Sequence, residues 1–266
     1  MHDAGHDPRP TAPLFEQRSR ASSFGESAAL YDMARPTYPP ALVDLLVAEG
    51  TTPALDVGCG TGILTRLLAA RGLSVLGVEP DGQMAAVARG HGLDVEVTSI
   101  ERFEDRDRRF GLLTAAQSWH WVEPVAGAAA AARVLDSRGL LALIWNHSVM
   151  PDGLREALDE RYEAIVPGLA GPTVGHEPKA FRRAGGPEAA IEATGAFEAF
   201  RHEVFAWERS YTTSQWTDQL RTHSDHALLD PPLRESVLDE VRRAIDERGG
   251  EFVMHYDCHA SLATRR

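Results

Sequence analysis

The chain has 266 residues, 43% apolar and 25% charged, enough to bury a full core as one α/β domain. Its formal charge of −12 speaks against a phosphate-backbone partner, because nucleic-acid affinity rests on clustered Lys and Arg. Cys59 and Cys258 are the only cysteines, which excludes a disulfide framework; no apolar run reaches the roughly 18 residues of a membrane span and the polar start lacks a signal-peptide core, so a cytoplasmic protein with no membrane partner is expected.

Residues 1–24, with His2, His6, Pro8, Pro10 and Pro13, read as a flexible arm ahead of a single domain over 25–266. Within that domain, 25–146 form the core and 147–266 a lid or insertion with substrate-side elements. Ala28, Leu30 and Tyr31 lead into a turn rich in Pro and Tyr at 35–40, after which Leu42, Leu45 and Leu46 fit one face of a helix. Strands are then predicted at 53–57, 73–78, 94–98, 110–116 and 140–145, with helices at 64–70, 81–90 and 122–135 between them. Short apolar strands alternating with helices make a parallel sheet covered on both faces. After Trp145 the alternation stops. Residues 150–195 read as short helices joined at Pro167-Gly168, Gly171-Pro172, Gly175 and Gly185-Gly186-Pro187, an insertion over the mouth of the sheet. A strand at 197–207, helices at 213–222 and 233–247, and a last strand at 251–256 follow. Two late strands without crossover helices predict an antiparallel edge.

The sharpest stretch is Leu55-Asp56-Val57-Gly58-Cys59-Gly60-Thr61-Gly62, a buried strand that turns through three glycines into a helix. Glycine reaches φ > 0 and lets a ligand approach the backbone, and the helix start points unpaired N–H groups at the same place. In parallel sheets ligands sit beyond the carboxyl ends of the strands, so 58–62, Glu79, 99–101 and 117–120 should line one crevice. The glycine spacing does not suit a dinucleotide, because Gly60 is followed by Gly62 and then Ile63, and no Gly-Lys-Ser/Thr sequence marks a phosphate loop. A nucleoside with an amino-acid tail remains. The loop backbone would take the tail, and Glu79, 23 residues after Asp56, would accept the ribose hydroxyls.

Together with Gly77-Val78-Glu79-Pro80, this stretch resembles the class I S-adenosylmethionine-dependent methyltransferases over roughly residues 25–146. Tyr31-Asp32-Met33-Ala34-Arg35-Pro36-Thr37-Tyr38-Pro39 and Ala115-Ala116-Gln117-Ser118-Trp119-His120-Trp121 are similar to a small-molecule branch that includes trans-aconitate methyltransferase-like enzymes. The resemblance implies a Rossmann-like sheet of order 3-2-1-4-5-7-6 with strand 7 antiparallel, and S-adenosylmethionine as cofactor. It also implies Asp56, Gly58 and Gly60 around the methionine part, Glu79 on the ribose, Pro80 and Met84 beside the adenine, and Ser99, Ile100 and Glu101 at the adenine edge. Gln117 and Ser118 would lie near the sulfonium, with Tyr31 and Arg35 closing over the cofactor.

The expected reaction is O-methylation of a small molecule by in-line displacement. A carboxylate acceptor needs no base, and Arg35 or Arg221 would orient it. A hydroxyl acceptor gains from a base, for which His120 is the first candidate and His223 the second. Trp119, Trp145, Trp207 and Tyr211 are candidate substrate contacts, with core or lid packing as the competing explanation. Two rival readings keep the cofactor: cyclisation of its aminobutyrate arm with release of methylthioadenosine, and non-catalytic binding. Cys59 reads as loop filler and Asp230-Pro231-Pro232-Leu233 as a turn. His223 with His226, and His255 with Asp257 and His259, read as surface histidines, with no metal expected.

Overall fold

Four strongly apolar stretches set the sheet. In the computed structural model β1 (Ala54–Val57), β2 (Val75–Val78), β3 (Asp94–Glu96), β4 (Phe110–Ala116) and β5 (Leu135–Val149) lie parallel, with Leu55 beside both Leu76 and Leu113. The structure describes Phe15, residues 28–167, Leu169 and residues 186–266. The expected arm at 1–24, apart from Phe15, and the Gly/Pro joints within 170–185 lie outside the described residues. Strands β6 (Arg201–Thr212) and β7 (Glu251–Thr264) complete the order β3-β2-β1-β4-β5-β7-β6, in which β7 runs antiparallel to both neighbours. The anticipated order and the antiparallel edge are both present.

Side chains alternate across this sheet, and each face receives its own helices. Leu113, Ala115, Leu141 and Leu143 join Leu55, Val57 and Val78 on one face, covered by α5 (Pro124–Val134) and α7 (Pro187–Ala193). Leu112, Ala142 and Ile144 point the other way, toward α2 (Pro40–Glu49) and α3 (Ile63–Ala69). Each fully buried Leu or Ile contributes roughly 1.5–3 kcal/mol relative to exposure. Cys258 lies in this second face, fully buried, as an apolar filler.

The late strands are longer than their apolar runs. Strand β5 continues from Leu140 to Val149 because β7 pairs with it over that whole span, carrying Asn146, His147 and Ser148 in the ladder. No apolar run marks those polar positions, so backbone pairing rather than side-chain character extends the strand. The short helices expected after residue 150 begin instead with one long helix, α6 (Asp152–Ile165), whose buried face is Leu154, Leu158 and Tyr162 at four-residue spacing. It packs with α8 (Thr213–Arg221) and α10 (Pro231–Asp246) into a third cluster around Tyr211, Trp216, Leu238 and Tyr256. That cluster stands beyond the carboxyl end of β5, beside the glycine loop's side of the sheet. Among the described residues no helix is long and apolar enough to cross a membrane.

Candidate functional site

The loop after β1 is held open by three left-handed glycines, with φ of +62° at Gly58, +57° at Gly60 and +85° at Gly62. Space as well as conformation demands glycine at the first, since a Cβ on Gly58 would stand 2.5 Å from the Cβ of Ser118. Ser118 in turn donates its hydroxyl to the Val57 carbonyl at 2.6 Å, which pins the end of β4 onto the loop. A Cβ on Gly60 would reach Met84 Cε at 3.4 Å, so the buried Met84 forms the apolar side of the cradle.

Two buried carboxylates organise this end of the sheet. Asp56 accepts the Thr65 hydroxyl at 2.6 Å and the Thr114 hydroxyl at 2.8 Å, tying β1, β4 and α3 together. Burial pushes it up to about 6, against the opposing pull of the two hydroxyls. Glu79 accepts the Gly60 N–H at 2.9 Å on one oxygen and the Asp81 N–H at 2.9 Å on the other. Burial raises it to about 7, again against its backbone donors. Capping of the helix that follows, α4 (Gly82–Gly90), falls to Asp81, which accepts from Gln83 and Met84. Glu79 therefore fixes the loop, and each of its oxygens retains acceptor capacity for a ligand.

Tyr31, Tyr38, Asp56, Gly58, Gly60 and Gln117 line a common cleft. Tyr31 comes from α1 (Ala28–Ala34) and Tyr38 from the turn that follows. Gln117 has a left-handed backbone, φ +56°, costly for a residue with a side chain and common where function holds the chain in place. Its N–H donates to the Ile144 carbonyl and its side-chain nitrogen to the Asn146 carbonyl at 3.0 Å. Ile100 is buried with Val57 and Val78 behind the loop, Ser99 precedes it half-buried, and Pro80 is exposed. Glu101 accepts the Glu123 N–H at 2.9 Å, joining the turn Ile100–Arg102 to the start of α5.

Arg35 stands behind Tyr31. Its guanidinium stacks 4.8 Å from the Tyr31 ring and donates to the Thr222 carbonyl at 2.7 Å, while Arg209 donates to the Arg35 carbonyl at 3.1 Å. His120 lies half-buried on the turn Trp119–Trp121 at the carboxyl end of β4, its ring 5.1 Å from that of Trp121. His223 precedes the four-residue helix α9 (Ser224–Ala227). Burial, reinforced by the Arg35 charge, pushes it down to about 3, so it is a neutral imidazole at physiological pH.

Several substrate-side expectations meet other partners. Trp119 and Trp145 are buried in the first face of the core, and Tyr211 is fully buried with its hydroxyl 2.7 Å from that of Tyr256. Packing explains all three. Arg221 turns its guanidinium fork to Glu235, with one bond of 2.8 Å, and so is committed to an ion pair on α10. Trp207 is half-buried, stacks on Tyr256 at 4.6 Å and donates to Asn146 Oδ1 at 3.1 Å. The surface reading fails for His226, which is 0% exposed, and holds for His255, whose side chain is 61% exposed.

Three residues at this site escaped the sequence reading. Asn146 accepts from Trp207 and from Gln117, and its amide donates to the Thr37 carbonyl at 2.9 Å, so it joins β4, β5, β6 and the segment after α1. Tyr38 was within reach, since it belongs to the same motif as Tyr31. Arg209, 4.6 Å over the Tyr211 ring, carries no signal before the strands are paired.

Residues 55–143 match a family model described as a methyltransferase domain. The match runs from β1 into β5, taking in the glycine loop, Glu79, Gln117 and His120. An uncharacterized methyltransferase of Mycobacterium tuberculosis is 38% identical over 133 residues, 49% of this chain and 54% of that protein. A ubiquinone biosynthesis O-methyltransferase of Hahella chejuensis is 34% identical over 106 residues, 36% of this chain and 44% of that protein. The chain thus spans about half the length of the curated relatives it matches. Among solved structures, one from Anaeromyxobacter dehalogenans, provisionally named a type II methyltransferase, superposes with a TM-score of 0.59 at 19% identity, covering 86% of this chain and 97% of that one. That likeness is one of fold. Loop motif, sheet order and family model agree on a methyltransferase domain at residues 55–143.

Proposed function

We propose that the protein moves a methyl group from S-adenosylmethionine to an oxygen of a small molecule. The observation that carries the reading is the cradle itself: three left-handed glycines under Ser118, with the Glu79 carboxylate holding the Gly60 N–H at the end of the next strand. Those residues fit the cofactor. Glu79 keeps lone pairs for ribose hydroxyls, Met84 supplies an apolar wall, and the backbone of 58–62 can approach a charged tail closely. When bound, the cofactor supplies a methyl group on a positively charged sulfur with a good leaving group, so the protein's part is positioning and exclusion of water.

Each chain residue has a defined share in that part. Asp56 stays among its two hydroxyls and keeps β1, β4 and α3 in register beneath the loop. Gln117, fixed through Asn146, borders the cleft from β4, and Tyr31 and Tyr38 wall it from the N-terminal segment. For a hydroxyl acceptor the base is His120, at the carboxyl end of β4. His223 is unsuited, because its imidazole is protonated only near pH 3 and a proton taken there would be held weakly. An oxygen acceptor is supported by the O-methyltransferase name of the Hahella chejuensis relative. A small acceptor is supported by the charge of −12, which disfavours nucleic acid.

The test is to incubate purified protein with S-adenosylmethionine and a panel of carboxylic acids, phenols, alcohols and amines, measuring S-adenosylhomocysteine. Release with an acid or a hydroxyl compound is expected. Release with amines alone overturns the oxygen acceptor, and methylthioadenosine formed without any acceptor overturns methyl transfer itself.

A further inference from the structure

The corner between α8 and α10 brings His223, Asp225 and His226 together, with one potential ligand atom from each lying within 4.8 Å of the others. Three features of this corner suit an ion. His226 is fully buried, and its Nε2 lies 2.7 Å from the Tyr162 hydroxyl. The Tyr162 hydroxyl can donate to Nε2 or accept from it; with the proton on Nε2 the ring leaves a lone pair on Nδ1. That Nδ1 lies 3.1 Å from Asp225 Oδ1, donating to it in one tautomer and in the other leaving two acceptors that a cation can share. Finally, His223 Nε2 is buried with no hydrogen-bond partner among the described residues.

We infer that His223, Asp225 and His226 form a binding site for a divalent transition-metal ion of the zinc class, with Tyr162 as the outer partner that orients His226. Two imidazoles and one carboxylate suit such borderline ions, whereas magnesium and calcium take oxygen donors. A histidine ligand usually donates its other N–H to an oxygen that sets the ring's orientation, the place Tyr162 occupies. Metal–ligand bonds of about 2.0–2.2 Å ask the three donors to draw in by about 1 Å. The local chain has that freedom, since α9 is four residues long and the Asp225 side chain is 42% exposed. Arg35 adjoins the site through the Thr222 carbonyl, and its charge weakens binding without occupying any of the three donors. An ion here would fasten α9 to α6 through Tyr162 and to the segment after α1 through Thr222 and Arg35.

The experiment is independent of methyl transfer. The full chain is stripped with a chelator, titrated with zinc and with cobalt(II), dialysed and assayed for bound metal, with cobalt ligand-field bands as the spectroscopic signature. About one ion per chain is expected, in a nitrogen and oxygen environment. His223→Gln and Asp225→Asn should each weaken binding by at least about 10-fold, and Tyr162→Phe by roughly 10-fold. Asp225→Asn, at a half-exposed position, carries the test should His223→Gln fail to fold. Wild-type protein that keeps no stoichiometric metal, or an Asp225→Asn variant that binds as tightly as wild type, overturns the site.

Discussion

The two ends of the sheet solve the same problem, fixing polar groups beyond strand ends, over very different distances along the chain. Around the glycine loop, Asp56 to Thr65 across 9 positions and Gly60 to Glu79 across 19 join near neighbours, while Thr114 and Ser118 reach back to β1 across 58 and 61. Around β5, β6 and the late helices the bonds join Tyr162 to His226 across 64, Trp207 to Asn146 across 61 and Arg35 to Thr222 across 187. The near pairs are local enough to be a motif, and their groups keep acceptor or backbone capacity for a ligand. The second set is a tertiary network in which side chains far apart in the chain already satisfy one another.

The largest expected effect tests whether β4 delivers a catalytic group between the two ends. With a hydroxyl acceptor, His120→Ala should lower kcat by roughly 10²–10⁴ while cofactor affinity, read by calorimetry with S-adenosylhomocysteine, stays within about twofold. With a carboxylate acceptor the same variant should leave kcat nearly intact, which separates the two oxygen classes.

Next in size is Gly58→Ala. The added Cβ meets Ser118 at 2.5 Å in a left-handed backbone, so about 1–3 kcal/mol of stability should go in urea melts, with cofactor affinity falling at least about 10-fold. Full cofactor affinity in this variant would mean that the loop does not act as a cradle.

The carboxylates sharpen the contrast through pH. Glu79, raised to about 7, is largely protonated below that value and loses acceptor capacity for ribose hydroxyls, so S-adenosylhomocysteine should bind about 10-fold more tightly near pH 8 than near pH 6. Glu79→Gln should flatten that dependence and bind more weakly at every pH. Asp56 acts on stability instead. Its value rises from 3.8 to about 6 on folding, so between those values the folded state holds a proton that the unfolded chain has released, and stability from this group declines as pH rises through that window. Asp56→Asn removes the charge, and the Thr65 and Thr114 hydroxyls can rotate to accept its amide. The variant should match wild type near pH 4 and exceed it near pH 8 by up to about 3 kcal/mol in urea melts. A variant weaker than wild type at the higher pH would show that the ionised Asp56 is worth more than its burial costs.

Legibility followed the same division. The glycine loop and the placement of Glu79 and Gln117-Ser118 at strand ends were readable because short loops there must place particular residue types at fixed offsets, while the roles of Gln117 and Ser118 toward a cofactor came with the resemblance. The sheet order came with the family resemblance, and the antiparallel edge followed from two strands lacking crossover helices. The polar extension of β5 was hidden, since pairing with β7 rather than any apolar run creates it. Asn146 was hidden for the same reason. His226 was misread as a surface residue because its burial depends on Tyr162 from another helix, a contact that no local pattern encodes.

The smallest effect is expected at Arg221, and it bears directly on how far the substrate end is self-satisfied. As a lone cation it would be a natural clamp for an acceptor carboxylate, and charge alone does not separate that role from a structural one. Its guanidinium fork, however, is engaged by Glu235, whose carboxylate it holds below the ordinary range. A half-exposed pair of this kind is worth about 0–1 kcal/mol. Arg221→Ala should therefore lower stability by no more than that and change KM for any accepted substrate by less than about twofold, whereas loss of a buried carboxylate contact would cost 1.5–3 kcal/mol, roughly 10-fold or more in KM. A large rise confined to carboxylate substrates would return Arg221 to the acceptor site and leave Glu235 as its resting partner. No change would leave Arg35, stacked on a wall of the cleft, as the cation placed to meet an anionic acceptor.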